Sequence, residues 1–400
     1  MTGITRRRFT SSAPVATVAF GGATGLSLAS CSGQTGADSY EAVAAQTWRA
    51  SGSSGVDALA LGPAPGGRTS PPFAREFTPE LMRELVRLAT LAPSSHNTQC
   101  WKFALEERGL AILPDLSRRC PAVDPDDHHL FVSLGCAAEN LVQAAHAHGL
   151  HAEPRYDAAR AAITVPLSPL PRLSVAQAKS SPLFKAIPER QCTRGDYDGK
   201  ALSVNELGLL ERAGTSSGVR LLLLTERPAM ERVLDFVVQG NTAQMADAAF
   251  IEELKHWIRF SAADAVRTRD GLFGLASGNP DVPAWLGELA FRFVFTQKGE
   301  NEKYVRQIRS SAGIAVFAGE AADKAQWVDV GRCYERFALQ ATALGIRNAF
   351  LNQPVEVPAV RSPFAAAMGL AGLRPDLVVR FGRGPTLPRS LRRPVQAVLV

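Results

Sequence analysis

Apolar side chains first recur at helical spacing after residue 78. Four leucines lie three or four residues apart, which places them on one face of a helix: Leu81, Leu85, Leu88 and Leu91. The start Thr78-Pro79-Glu80 supplies a capping hydroxyl, an early proline and an early carboxylate. Two short apolar runs follow, at 101–105 and 109–113, and they are typical of a hairpin. The pattern therefore predicts a helix followed by two paired strands.

A longer helical pattern occurs twice in the chain. Its first copy covers residues 134–149 and its second covers 330–345, with four small or acidic positions at matching offsets. The matched pairs are Gly135 with Gly331, Glu139 with Glu335, Ala145 with Ala341 and Gly149 with Gly345. Upstream, the capped helix at 78–92 has a counterpart at 203–213, and the strand at 219–224 corresponds to the strand at 101–105. Two amphipathic helices can match by chance, but three elements in one order favour an internal duplication.

Composition indicates a globular chain with a sizeable core. Of 400 residues, 46% are hydrophobic and 20% are charged, enough for one large domain or for two or three smaller ones. The net charge of +6 lies partly in arginines near the two ends, and no long basic run is interleaved with aromatic residues. We therefore expect no nucleic-acid partner. The five cysteines after Cys31 form no C-x-x-C pair, so they indicate neither a zinc site nor a disulfide framework.

The first 31 residues are typical of an export signal. Thr5-Arg6-Arg7-Arg8-Phe9 resembles the twin-arginine motif, and the apolar stretch behind it is too short and too rich in glycine for a good membrane span. Leu28-Ala29-Ser30-Cys31 resembles the lipobox at which bacterial lipoproteins are acylated, and a chance cysteine is the alternative. Residues 32–72 are rich in Gly, Ala, Ser and Pro and predict a flexible linker. We therefore expect an exported protein of the periplasm or cell envelope.

A loop of hydroxyl and amide side chains separates the first helix from the hairpin: Leu91-Ala92-Pro93-Ser94-Ser95-His96-Asn97-Thr98-Gln99-Cys100-Trp101. Neutral hydrogen-bonding groups suit the edge of a planar polar cofactor, and a capped, solvent-facing turn is the alternative. The loop resembles the A-P-S-x-x-N-x-Q-P-W segment of the nitroreductase-like flavoprotein family, with Cys100 where proline is usual. The resemblance implies bound FMN, with five side chains at its ribityl chain and ring edge: Pro93, Ser94, Ser95, Asn97 and Gln99.

Members of that family are obligate dimers with flavin at the interface, so two halves in one chain resemble a fused dimer. We expect an α+β, nitroreductase-like fold of two tandem repeats, 73–185 and 186–400, that is a monomer. In the family, one flavin takes its P-S-x-x-N loop and its R-x-S-x-R element from opposite subunits. Here Gly214-Thr215-Ser216-Ser217-Gly218 replaces the loop in the second half. The resemblance therefore implies one complete site per chain.

The second half carries the basic element that the first half lacks. Arg190-Gln191-Cys192-Thr193-Arg194 resembles R-x-S-x-R, with Cys192 in place of serine, and its two arginines offer donors for a phosphate dianion. The C-terminal Arg392 and Arg393 correspond to a second phosphate contact of the family. A solvated arginine cluster is the alternative for each element. The resemblance also places the backbone of Leu351-Asn352-Gln353-Pro354 near the flavin N5.

Two further segments allow more than one interpretation. An insertion at about 231–300 is rich in aromatic residues and glycine turns, which suits either additional core or a lid over the flavin. Asp124-Pro125-Asp126-Asp127-His128-His129 carries side chains that can ligate a metal, but aspartates ahead of a helix more often cap it, so we predict no metal site there. No pattern indicates a catalytic acid, base or nucleophile, and we expect His96 to hydrogen-bond or to be exposed.

The resemblance implies a flavin-dependent oxidoreductase. NAD(P)H would reduce FMN, and the flavin would pass two electrons to a nitro, quinone or similar acceptor in a ping-pong cycle. The alternative is a protein that sequesters FMN under a closed lid with little turnover, which the lack of an obvious NAD(P)H supply outside the cytoplasm favours. A weaker alternative is a fused scaffold that has lost flavin and acts at the envelope through other partners.

Overall fold

A computed structural model gives the fold over residues 31–50, 77–170, 180–279 and 281–400. The twin-arginine motif, the lipobox up to Ser30 and residues 51–72 of the predicted linker lie outside the described residues. The described chain is mixed α+β, with two antiparallel sheets of four or more strands and helices packed between and around them. The predicted fold class is therefore confirmed.

The first half forms its own sheet around one central helix. In chain order the elements up to residue 170 are α1 (Cys31–Thr47), α2 (Pro79–Ala89), β1 (Trp101–Glu106), β2 (Gly109–Pro114), α3 (His128–Ala147), β3 (Leu150–Ala152), β4 (Arg155–Asp157) and β5 (Ala162–Pro169). The strands pair in the order β1-β2-β5-β3, and β4 also pairs with β5. The side chain of Thr78 caps α2 by accepting a hydrogen bond from the Leu81 N–H, and the predicted hairpin is β1 with β2.

The second half repeats this plan and adds helices. Its elements are α4 (Pro182–Ala186), α5 (Val204–Gly214), β6 (Val219–Leu224), α6 (Arg227–Ala246), α7 (Ala248–Trp257), β7 (Ile258–Arg259), α8 (Ala262–Thr268), β8 (Leu272–Phe273), α9 (Ala284–Val294), α10 (Gln297–Arg309), β9 (Gly313–Gly319), α11 (Lys324–Ala343), β10 (Arg347–Phe350), α12 (Gln353–Glu356), α13 (Pro358–Ala367) and β11 (Arg374–Gly382). The strands of its sheet pair in the order β6-β9-β11-β10.

The two sheets have the same connectivity. The order β1-β2-β5-β3 corresponds strand by strand to β6-β9-β11-β10, and every neighbouring pair in both is antiparallel. The helices α2 and α3 occupy the same places in the first half as α5 and α11 in the second. Because four strands and two helices recur in one order, the two tandem repeats expected from the sequence are confirmed.

The insertion lies in a turn between two strands of the second sheet. Residues 107–108 alone join β1 to β2, whereas residues 225–312 separate β6 from β9, so the predicted bounds of 231–300 are too narrow. Its outer helix α6 belongs to the core of the second half through Met230, Val233 and Val237. The middle of the insertion instead reaches the first half, where several of its aromatic and leucine side chains form a cluster with loop residues: Phe250, Leu254, Trp257, Phe291, Cys120 and Val123.

The described start of the predicted linker is helical. Tyr40, Ala44 and Trp48 are all buried and, at spacings of four, share one face of α1 and its continuation. This face packs on α8, on Phe273 of the insertion and on Leu391 near the C-terminus. The prediction of a flexible linker from residue 32 is therefore wrong over α1, because these side chains give the segment an apolar surface to bury.

The C-terminal segment returns from the second half to the first. The Phe103 N–H in β1 donates to the Val398 carbonyl oxygen at 2.7 Å, and the Val400 N–H donates to the Phe103 carbonyl oxygen at 3.0 Å. The tail thereby covers the free edge of β1 and brings Arg392 and Arg393 beside the loop at 91–101. Within the described residues, we find no helix that is long and apolar enough to cross a membrane.

Candidate functional site

The loop at 91–101 turns sharply between α2 and β1. His96, Asn97 and Gln99 have φ angles of 48°, 53° and 54°, in the left-handed region that residues other than glycine rarely adopt. Ser94 stabilises the turn, since its Oγ accepts a hydrogen bond from the Gln99 N–H at 2.9 Å. Three such residues within four positions are maintained only where the surroundings fix the backbone.

Asn97 connects the loop to two segments that are distant in sequence. Its Nδ2 donates to the carbonyl oxygens of Gly271 at 3.0 Å and Leu391 at 3.2 Å. Its Oδ1 accepts a hydrogen bond from Arg392 Nη1 at 2.9 Å. Since Gly271 belongs to the insertion and Leu391 to the C-terminal segment, one amide side chain holds three parts of the chain together.

Gln99 makes a second connection of the same kind. Its Nε2 donates to the Arg269 carbonyl oxygen at 2.8 Å, and its Oε1 accepts a hydrogen bond from the Arg393 N–H at 2.7 Å. The Arg393 guanidinium donates to the Gln99 carbonyl oxygen at 3.2 Å and lies 3.6 Å from the Asp115 carboxylate. Gln99 and Arg393 therefore fix the C-terminal segment against the loop.

Two buried guanidinium groups converge on the end of α2. Arg190 Nη2 and Arg392 Nη2 donate to the same acceptor, the Leu91 carbonyl oxygen, at 2.9 and 3.1 Å. Arg392 also donates to the carbonyl oxygens of Thr90 and Ala92, at 2.8 and 3.0 Å. Carbonyl groups left unpaired at a helix C-terminus attract cations. Burial and, to a smaller extent, the charge of Arg190 lower the pKa of Arg392 to about 9.

Glu335 of α11 is the carboxylate that pairs with Arg190. The Arg190 Nε lies 3.2 Å from Glu335 Oε1, and both side chains are buried. Burial raises the pKa of Glu335 to about 7, while the charge of Arg190 opposes that shift. Its counterpart in the first half, Glu139, instead pairs with Arg336 at 2.9 Å. The two repeats therefore use matching glutamates with different arginine partners.

A half-open pocket lies between this loop, residues 190–194 and the C-terminal segment. Four arginines and no carboxylate occur among the described residues that line it: Trp48, Pro93, Ser94, Asn97, Arg190, Gln191, Cys192, Arg194, Leu272, Ala276, Phe350, Pro388, Arg389, Ser390 and Arg392. Positive charge beside apolar and aromatic side chains suits a ligand that has an anionic group and a flat apolar part.

The pocket contains most of the site residues expected from the sequence. Pro93, Ser94, Asn97, Arg190, Cys192, Arg194 and Arg392 line it. Ser95, Gln99 and Arg393 lie in adjoining positions of the same segments without being part of the lining. Arg194 Nη1 lies 3.4 Å from the Ser277 Oγ of the insertion, and Cys192 Sγ lies 3.9 Å from the Tyr334 hydroxyl. The segment Leu351-Asn352-Gln353-Pro354 directly follows Phe350 of the lining.

Several lining residues were not predicted from the sequence. Trp48 lies over Arg389 and Arg392, with its ring centroid 5.3 and 4.9 Å from their guanidinium carbons. Its Nε1 donates to the Ser390 carbonyl oxygen at 3.0 Å. The spacing of Tyr40, Ala44 and Trp48 was the available signal, since three apolar residues four apart predict a helix face. Leu272, Ala276 and Phe350 carry no comparable local signal.

Comparison with curated proteins finds relatives over most of the chain, whereas no family model matches. Two proteins of Mycobacterium tuberculosis, "Putative NAD(P)H nitroreductase MT3217" of strain CDC 1551 / Oshkosh and "Putative NAD(P)H nitroreductase Rv3131" of strain ATCC 25618 / H37Rv, are each 26% identical to this chain over 333 residues. The match covers 80% of this chain and 91% of each relative.

Solved structures match about half of the chain. A nitroreductase with bound FMN from Desulfitobacterium hafniense DCB-2 is 16% identical with a TM-score of 0.34, and covers 52% of this chain and 90% of its own. The FMN-dependent nitroreductase NfnB from Mycobacterium smegmatis, in complex with NADPH, is 11% identical with a TM-score of 0.33, and covers 52% and 89%. By sequence, then, this two-repeat chain is similar over four fifths of its length to proteins that carry the name of NAD(P)H nitroreductases.

Proposed function

We propose that this chain is an exported FMN-dependent oxidoreductase that takes two electrons from NAD(P)H and passes them to a nitro, quinone or similar acceptor. Its similarity to proteins named as NAD(P)H nitroreductases supports the donor and the reaction class, and favours turnover over storage of FMN. The observation that carries the proposal is the pocket in which the loop of the first half meets Arg190 and Arg194 of the second.

The donor set of the pocket fits the phosphate of FMN. Arg190 and Arg392 approach one carbonyl oxygen, so their like charges repel each other, and Glu335 neutralises one of them. Arg194 adds a further guanidinium group to the lining, whereas Arg389, which also lines the pocket, pairs with the Glu189 carboxylate. A phosphate dianion would offset the remaining positive charge and accept charge-assisted hydrogen bonds.

The apolar lining fits the ring system of FMN. Trp48, Leu272 and Phe350 offer flat or aliphatic surface beside the arginines. Bound FMN would supply the hydride and two-electron chemistry, while the protein supplies position and electrostatics. Asn97 and Gln99 would contribute by fixing the loop, the insertion and the C-terminal segment in one arrangement. We assign no side chain as a catalytic acid or base.

An absorbance spectrum of the purified protein tests the proposal. We expect flavin bands that bleach with NADH or NADPH under anaerobic conditions and return when a quinone or nitroaromatic acceptor is added. Flavin that is bound but is bleached by neither nicotinamide would support the storage alternative. Protein that stays colourless and takes up no added FMN would contradict both.

Arg194→Gln tests the phosphate assignment more sharply than replacing Arg190 and Arg194 together by alanine. Loss of Arg190 would leave the buried carboxylate of Glu335 without its cation, which destabilises the fold by itself. Arg194 is partly exposed, and its guanidinium donates a 3.4 Å hydrogen bond to the Ser277 Oγ. We expect FMN to bind roughly 10- to 100-fold more weakly, as for loss of a charge-assisted contact. The exposed Arg83→Gln is the matched control, and equal affinity in the two variants would refute the assignment.

The export part of the proposal is supported by the sequence at Thr5-Arg6-Arg7-Arg8-Phe9. Replacing Arg6 and Arg7 by lysine keeps the charge but removes the twin-arginine motif. We expect the variant to accumulate in the cytoplasm, while the parent protein fractionates with the periplasm or envelope. Recovery of the parent protein and the variant in the same cell fraction would count against export by the twin-arginine pathway. Labelling with a radioactive fatty acid, compared between the parent and Cys31→Ser, tests the lipid anchor.

A further inference from the structure

Two adjacent histidines of α3 are buried against carboxyl groups of both halves. The Asp124 carboxylate caps the helix, since its two oxygens accept hydrogen bonds from the His129 N–H at 3.0 Å and the Leu130 N–H at 2.9 Å. This confirms the predicted capping role of an aspartate in this segment. The side chains of Asp124, His128 and His129 are buried, and one ligand atom from each lies within 4.8 Å of the others.

The second half contributes two further carboxyl groups from different elements. Asp376 of β11 lies with its Oδ1 2.8 Å from His128 Nε2, and its carbonyl oxygen lies 3.1 Å from His129 Nε2. Glu356 of α12 lies with its Oε1 3.7 Å from His129 Nδ1, and its other oxygen accepts a hydrogen bond from Gln244 at 2.7 Å. Two imidazole rings and three carboxyl groups therefore meet where the halves join.

The surroundings fix the tautomer of His129. A carbonyl oxygen only accepts hydrogen bonds, so the His129 Nε2 that faces Asp376 carries a proton, and Nδ1 is the ring nitrogen left to bind a metal. That Nδ1 is buried and has no hydrogen-bond partner among the described residues. Orientation of an imidazole through its second nitrogen by a carbonyl or carboxylate group is the usual support of a metal-ligating histidine.

The distance between His129 Nδ1 and Glu356 Oε1 matches the spacing of two ligands on one metal ion. At 3.7 Å the two atoms are too far apart for a hydrogen bond. Two ligands at about 2.0–2.2 Å from one cation are separated by roughly 3–4 Å.

We propose that Asp124, His128 and His129 bind a divalent first-row transition-metal cation, with zinc as the ion of reference, and that Glu356, whose Oε1 faces His129 Nδ1, moves in to complete the ligand set. Imidazole and carboxylate together suit this class of ion better than calcium or magnesium, which prefer oxygen ligands alone. Three ligands come from the first half and Glu356 from the second, so the ion connects the two repeats. Asp376 orients His128 and His129 from outside the ligand set. The inference does not depend on the proposed flavin chemistry.

Zinc binding by the full-length protein tests the site. After dialysis against a chelator, the protein is titrated with Zn²⁺ in a calorimeter, and its zinc content is measured after gel filtration. We expect one Zn²⁺ per chain and a higher unfolding temperature with zinc present, because an ion that binds only the folded state stabilises it. His129→Gln and Glu356→Gln should each weaken zinc binding by at least tenfold. His151→Gln is the matched control, since His151 is exposed and far from the cluster in sequence.

Three outcomes would overturn the proposal. The parent protein could take up no zinc, which would mean that this cluster holds no cation. Both variants could bind zinc as tightly as the parent protein. Finally, binding could be lost in Cys120→Ser and kept in His129→Gln, which would place the ion at His96, Cys120 and Glu253 instead. Glu356 is partly exposed and lies in a short helix, so we expect Glu356→Gln to fold. Its zinc affinity can therefore be measured even if His129→Gln does not fold.

Discussion

Gly135 of α3 and Gly331 of α11 each face the backbone of the other helix. A Cβ on Gly135 would lie 2.1 Å from the Val328 carbonyl oxygen, and a Cβ on Gly331 would lie 2.0 Å from the Val132 carbonyl oxygen. In both cases the contacted residue lies three positions before the glycine of its own helix. The two repeats are therefore related by an approximate two-fold relationship at their central helix pair.

Replacing Gly331 by alanine should destabilise the protein. The added methyl group meets backbone rather than a movable side chain, so the helices must separate. We expect the free energy of unfolding to fall by about 1–3 kcal/mol or more, as for overpacked cores, which urea denaturation would measure. Gly195→Ala is the control, because a Cβ added there would have no heavy atom within 4 Å beyond its immediate chain neighbours. Equal denaturation midpoints for the two variants would contradict close packing of these helices.

The pair of Arg190 and Glu335 should make stability depend on pH. Burial raises the pKa of Glu335 from its ordinary value of 4.5 to about 7. Between pH 4.5 and pH 7 the folded protein therefore binds a proton that the unfolded chain has released. Stability contributed by this group is therefore greatest below pH 4.5 and falls as pH rises to about 7. At 1.36 kcal/mol per pKa unit the loss is about 3 kcal/mol.

Glu335→Gln isolates this contribution. The amide keeps the size of the side chain but does not titrate, so its free energy of unfolding should vary less than that of the parent protein between pH 4.5 and 7. Denaturant unfolding at a series of pH values measures both. Parallel pH profiles for the two proteins would show that Glu335 does not have a raised pKa in the folded state.

Asn97→Asp should loosen the insertion and the C-terminal segment. The change preserves the shape of the side chain and its tolerance of positive φ, but it removes both donors to Gly271 and Leu391. The new carboxylate would face two carbonyl oxygens while still pairing with Arg392. We expect faster amide hydrogen exchange at residues 269–273 and 389–393, by about tenfold or more. Asn205→Asp is the control at an exposed position. Equal exchange rates in the two variants would show that Asn97 does not hold the insertion and the C-terminal segment in place.

Local patterns predicted the elements that bury one face. The leucines of α2 and the apolar runs of β1 and β2 give correct positions because each element's periodicity depends on its own residues. The matched Gly135 and Gly331 likewise identified the repeated helix, since a close helix contact requires glycine in both copies. The predicted bounds of the insertion were less accurate because α6 shows the same amphipathic pattern whether it belongs to the insertion or to the repeated fold. Its packing on the second sheet depends on tertiary contacts.

Partners that are distant in sequence could not be predicted in the same way. Asn97 and Gln99 were identified as site residues, but their hydrogen bonds reach Gly271, Arg269 and Arg393 across the fold. The helix α1 was missed because glycine and serine around it favour a linker, although Tyr40, Ala44 and Trp48 are spaced as on one helix face. The surfaces that this face contacts, in the insertion and the C-terminal segment, are distant in sequence. The same holds for the histidine cluster, in which two of the carboxyl groups come from the second half.

Trp48→Ala should open the pocket. The indole lines it, lies over Arg389 and Arg392, and is fixed by a 3.0 Å hydrogen bond to the Ser390 carbonyl oxygen. With FMN bound as we propose, loss of this cover should speed its release by about tenfold, since an aromatic contact of this size contributes on the order of 1 kcal/mol or more. Release is measured by the fluorescence of free FMN after dilution. Trp285→Ala is the control, because that indole is 69% exposed on α9. An unchanged release rate in Trp48→Ala, with its far-UV circular dichroism intact, would show that the N-terminal segment does not cover the cofactor.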